Sequence, residues 1–83
     1  MITVEGTPNP NAVKFTVGKP VGGPATFVPD KPTEDPLAQE LLAVPGITSI
    51  FLTADFVTIS KRPEADWESI VTAARAILEE HFS

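Results

Sequence analysis

The sequence contains no cysteine and a single histidine. Without thiols there is no disulfide, no thiolate nucleophile and no Cys-ligated metal or cluster. One imidazole excludes a histidine-rich metal site. Basic residues are also scarce, six Lys and Arg against eleven Asp and Glu, for a net charge of −5. That balance argues against a phosphate-backbone binder, which needs clustered cations to displace counterions, and against a polybasic membrane surface. No apolar run approaches the roughly 18 residues of a membrane span. The opening segment MITVEGTPNP has neither a basic start nor an apolar stretch, so no signal peptide is expected and the cytoplasm is the expected location.

What the chain does have is proline. Nine prolines fall in the sequence, and none lies after Pro63. Each removes a backbone donor and fixes φ, so the N-terminal half reads as short extended pieces joined by turns. Eighty-three residues make a single domain over 1–83, large enough for one core but not for a deep pocket beside it.

Ile2 to Val4 reads as a short extra strand. Thr7-Pro8-Asn9-Pro10-Asn11 reads as a compact turn, since the X-Pro bonds extend Thr7 and Asn9 and Asn side chains bond nearby backbone. From Ala12 to Val17, Val13, Phe15 and Val17 alternate with Lys14 and Thr16, the period of a strand with one wet face. GKPVGGP at 18–24 is a loop by composition. Ala25 to Val28 is β-prone and is expected to pair with the strand before it. Asp35 is a good N-cap with Pro36 at the first helical position. Leu37, Ala38, Leu41 and Leu42 then form an apolar stripe that Pro45-Gly46 ends. Ile47 to Leu52 and Phe56 to Lys61 are strands joined by Thr53-Ala54-Asp55, with Asp55 expected at positive φ. Asp66 is the expected cap of a last helix. There Trp67, Ile70, Val71, Ala74, Ile77, Leu78 and Phe82 recur at helical spacing.

The expected fold class is therefore α+β: two layers, a mainly antiparallel four-stranded sheet with two helices on one face, in the order β-β-α-β-β-α. Phe15, Phe51 and Trp67 are assigned to the core.

Catalytic chemistry finds little footing. His81, the only imidazole, sits near the C-terminus on a helix next to the apolar face, reads as a half-exposed helix residue and is assigned no role. Glu34-Asp35 and Glu79-Glu80 are explained by helix capping and a solvated face. Gly22-Gly23-Pro24 lacks the spacing of a phosphate loop and opens no helix. Two segments carry polar groups suited to recognition, the TPNPN turn and the acid at the Asp55 hairpin tip, because rigid polar loops on a scaffold commonly bind partners.

Taken in order, TPNPNAVKF, DPLAQELLAVPGITSIF, DFVTISK and a Trp-led amphipathic helix resemble the N-terminal domain of the Nfu/NifU-type iron–sulfur scaffold family, from about Thr7 to Phe82. The resemblance implies an α+β unit whose cluster is carried by a separate C-terminal domain through a Cys-x-x-Cys pair. This chain has no cysteine, so the resemblance implies only an accessory role in iron–sulfur assembly: protein partners among assembly components or clients, no cofactor, no metal and no enzymatic activity. Thr7, Asn9, Asn11, Lys14, Asp55 and Thr58 are the expected partner-binding residues. The alternative is a general peptide- or small-anion-binding module that uses a sheet edge or the TPNPN turn.

Overall fold

Burial alternates residue by residue from Phe56 to Lys61, the central strand of a sheet with one dry and one wet face. The computed structural model describes residues 2–21, 24–31 and 33–82. Gly22 and Gly23 of the GKPVGGP loop and Pro32 of the acidic connector lie outside the described residues. The chain runs through β1 (Thr3–Gly6), β2 (Ala12–Thr16), β3 (Ala25–Phe27), α1 (Pro36–Leu42), β4 (Ile47–Thr53), β5 (Phe56–Lys61) and α2 (Trp67–Phe82). The five strands form one antiparallel sheet in the order β1-β2-β5-β4-β3. The α+β class stands, with five strands in place of four.

Antiparallel partners share a face, so the register sorts the side chains. Phe15 lies opposite Val57, Val13 opposite Ile59, Ile50 opposite Ile59 and Leu52 opposite Val57. These face the helices. Phe15, Val57, Ile50 and Ile59 are fully buried there, together with Leu41 of α1 and Ile70 and Leu78 of α2. Each such side chain contributes about 1.5–3 kcal/mol through burial.

Local signals set both helix starts. The Asp35 carboxylate accepts from the N–H groups of Leu37 (3.0 Å) and Ala38 (3.3 Å), and Pro36 opens the helix where its missing donor costs nothing. Asp66 accepts from the Glu68 N–H at 3.3 Å at the start of α2, whose Ile70, Ala74 and Leu78 are buried. After α1 the chain reverses through Gly46 at φ 95°.

Three expectations are corrected. Ala25–Phe27 pairs with β4 and not with β2, because both edges of β2 are occupied, by β1 and β5. At the β4–β5 hairpin Thr53 pairs with Phe56, which leaves a two-residue turn. Its first residue, Ala54, takes the positive φ (50°) in place of Asp55, as tight hairpin turns favour. Phe51 is not a core residue: it is 39% exposed. A register shift between Ile47 and Ser49 changes the parity of β4. Ile50 and Leu52 therefore face the core with Ile47, and Phe51 turns outward.

Candidate functional site

The expected binding residues fall along the β2–β5 ladder and beyond its two ends. At one end is the TPNPN turn, and it is bonded inward. The Thr7 hydroxyl lies 2.9 Å from the carbonyls of both Asn9 and Ala12 and accepts from the Asn9 N–H at 3.1 Å. Asn9 Oδ1 accepts from the Asn11 N–H at 2.9 Å, and Asn11 Oδ1 accepts from Lys61 Nζ at 3.3 Å. Of the polar groups expected to be free here, the Thr7 hydroxyl and both Asn side-chain oxygens are engaged within the fold. Among the described residues, the amide nitrogens of Asn9 and Asn11 have no partner within the fold.

Two residues not singled out as polar anchors hold this turn. Trp67 Nε1 donates to the Pro10 carbonyl at 2.9 Å, bridging 57 residues of sequence. Lys61 is buried (8% exposed) with no carboxylate partner among the described residues. Its ammonium donates to Asn11 Oδ1, the Arg62 carbonyl (3.1 Å) and the Pro63 carbonyl (3.3 Å), and lies 5.5 Å from the centroid of the Trp67 ring. Three donors meet three acceptors, which is how a buried lysine avoids an unpaired proton. The signal in the sequence was the inward parity of Lys61: it follows Val57 and Ile59 at period two, so it starts on the core side.

At the other end, Asp55 stands exposed at the hairpin tip. Its carbonyl accepts from the Val17 N–H at 2.8 Å, and that of Ala54 from the Val21 N–H at 2.9 Å, so the chain leaving β2 is clipped to the tip. The polar turn and Asp55 lie at opposite ends of the ladder, about five residues or ~17 Å apart along the strands. They do not form one cluster.

Lys14 and Thr58 are cross-strand partners on the sheet face that the helices leave bare. Lys14 Nζ sits 4.4 Å from the Phe56 ring centroid, and Thr58 lies opposite Phe51 on its other side. Around them the register places Thr16, Thr26, Thr53, Ser49 and Ser60, with Glu5 opposite Lys14. This face is close to neutral. The spans 33–46 and 62–82, which contain both helices, hold eight of the eleven acidic residues and two of the six basic ones. The charge is therefore segregated, and the bare face pairs exposed aromatic carbon with hydroxyls, a composition suited to protein contact.

Among the described residues no group of three or more His, Asp or Glu could hold a metal ion. His81 bonds Glu40 of α1, tying the two helices together away from the bare face. Two shallow surface grooves, one along α2 at Val71, Arg75 and Glu79 and one at Lys31, Gln39 and Leu42, include none of the six expected residues.

Fold and site together define a small α+β domain with one bare sheet face and a pinned polar turn. Residues 2–83 match the family described as scaffold protein Nfu/NifU N terminal, and the chain belongs to that family. It is 36% identical over 88 aligned residues to the human NFU1 iron-sulfur cluster scaffold homolog, mitochondrial, covering 99% of this chain. It is 37% identical over 87 residues to a NifU-like protein of Schizosaccharomyces pombe. In both cases it spans 34% of the relative's length. Among solved structures, the NifU-like protein of Saccharomyces cerevisiae superposes with TM-score 0.86 at 27% identity, covering 96% of this chain and 76% of that one. Protein SAV1430 of Staphylococcus aureus superposes with TM-score 0.77 at 28% identity, covering 92% and 95%.

Proposed function

We propose that this chain is a non-enzymatic partner-recognition domain associated with iron–sulfur cluster assembly, which does not itself hold a cluster. The observation that carries the proposal is membership of the Nfu/NifU N-terminal family in a chain with no cysteine. Relatives such as the human protein are named as cluster scaffold homologs, and this chain corresponds to about a third of them. The neutral, aromatic-bearing sheet face supports a protein partner, among assembly components or their clients. The net charge of −5 supports neither nucleic acid nor an anionic membrane as the target.

The test has two arms. Deleting the gene in its host should lower the activity of iron–sulfur enzymes, and the tagged chain should co-purify with cluster-assembly proteins. Normal cluster enzymes together with no such co-purification would sink the reading. The purified chain incubated with Fe(II) and sulfide should develop no cluster chromophore, and a stable one would refute the claim that it holds none. The proposed compartment is the cytoplasm, read by fractionation. The human relative is by its name mitochondrial, and recovery of this chain in an organelle would replace that part of the proposal.

A further inference from the structure

The bare face of the sheet carries one row of side chains that crosses all five strands. The register sets Glu5 beside Lys14, Lys14 beside Thr58, Thr58 beside Phe51 and Phe51 beside Thr26. From β1 to β3 the row therefore runs anion, cation, hydroxyl, aromatic ring, hydroxyl. Its two charges form no ion pair among the described residues. Lys14 leans the other way, with Nζ 4.4 Å from the Phe56 ring centroid. Glu5 and Phe51 are both exposed.

Such a row is complementary to its own reverse. A two-fold axis parallel to the strands and passing over β5 turns a second copy face down and inverts the row. Lys14 of each copy then lies over Phe51 of the other, Glu5 over the Thr26 hydroxyl, and Thr58 over Thr58. The flanking rows meet at Phe56 and at Ser60, which face their own copies without charge. The other axis in the plane, along the row, would stack Glu5 on Glu5 and Lys14 on Lys14. The helix layer offers no comparable surface. Spans 33–46 and 62–82 hold eight acidic residues against two basic ones, so a second copy is repelled there.

We infer that the bare face binds a second copy of this chain in a two-fold dimer centred on β5, with Lys14 held between Phe56 of its own copy and Phe51 of the other. Stacked sheets lie about 10 Å apart with strand directions within about 30°, which lets the central rows meet. Five strands and three rows give a footprint of about 500 Å² per copy. The total of about 1,000 Å² is the size of a weak, reversible dimer. The inference goes beyond the recognition reading and does not depend on it: any partner that uses this face must displace the second copy.

Sedimentation equilibrium of the full chain between about 0.01 and 1 mM should show the mean mass rising from 8.8 kDa toward twice that value. In a mixed-label sample, isotope-filtered NOEs should join the Lys14 side chain of one copy to the Phe51 ring of the other. Lys14→Glu and Phe51→Lys should each weaken association about tenfold or more, since either change strikes the dimer twice. Mixed one to one, the two variants should associate again, because one Lys14–Phe51 contact survives and the other becomes an ion pair. A mass that stays at 8.8 kDa at the highest concentration, NOEs that place the contact on the β1 edge or the helices, or a mixture no better than the separate variants would each overturn the inference. A monomer leaves the deletion phenotype and co-purification untouched, so the dimer and the assembly role fail separately.

Discussion

Replacing Gly46 by alanine should be the most damaging single-methyl change in this protein. Gly46 joins α1 to β4 at φ 95°, where an L side chain costs about 1–2 kcal/mol. There is also no room. A Cβ at this position would lie 2.7 Å from the Ala65 Cβ and 3.2 Å from Ile70 Cδ1, and neither the connector before α2 nor the buried Ile70 can retreat freely. Overpacking of this kind costs about 1–3 kcal/mol. The stiffer unfolded chain returns about 0.4–1 kcal/mol, leaving a net loss of about 1–4.6 kcal/mol. A chain of 83 residues has about 4–12 kcal/mol of stability in all. At about 6 °C per kcal/mol for this length, Tm should fall by about 6–28 °C.

Two other glycines separate the causes. Gly18 has φ 77° but open space, so Gly18→Ala should lose only about 1 kcal/mol. Gly6 has open space and no positive φ, so Gly6→Ala should be neutral or slightly stabilising. Urea unfolding followed by Trp67 fluorescence would rank all three by Cm at constant m. Adding Ala65→Gly to Gly46→Ala should recover more stability than additivity allows, since it removes the 2.7 Å contact. If Gly46→Ala cost no more than Gly18→Ala, the steric half of the reasoning would be wrong.

Four further outcomes are expected. Asp35→Ala removes the cap of a seven-residue helix and should cost about 1 kcal/mol, read as a shift in urea midpoint. Ala54→Gly relieves positive φ at the hairpin tip and should raise stability by about 0.5–1 kcal/mol, measured by thermal melting. Lys61→Met keeps the stem against Trp67 but removes the ammonium from Asn11 Oδ1 and the Pro63 carbonyl, while the Arg62 carbonyl keeps the Ala65 N–H. It should cost about 1–3 kcal/mol, and amide exchange should quicken across the turn. His81→Ala should change stability by less than about 1 kcal/mol, because its bond to Glu40 is exposed to water, and a larger loss in chemical unfolding would show that the clasp holds α1 in place.

Much of the local structure was legible along the chain because it rests on short-range physics. Asp35-Pro36 announced the start of α1, Pro45-Gly46 its end, and the spacing of Ile70, Ala74 and Leu78 the buried face of α2. The TPNPN turn was visible for the same reason, since proline and asparagine act on their own neighbours. The absence of cysteine was decisive without any structure: no fold can supply a thiolate that the chain does not contain.

Tertiary structure decided what depends on distant segments meeting. Strand order is one case: β3 joins β4 across α1 because β5 and β1 had already taken both sides of β2. The inward or outward fate of Phe51 is another, since a single register shift in β4 exchanged its faces and no propensity records a bulge. The pinning of the turn by Lys61 and Trp67 spans 50 and 57 residues and left only a parity hint. Which sheet edge lies open could be seen only once all five strands were in order. Chain-local chemistry thus determined the elements and the lack of any thiolate, and long-range packing determined which of its surfaces are left exposed.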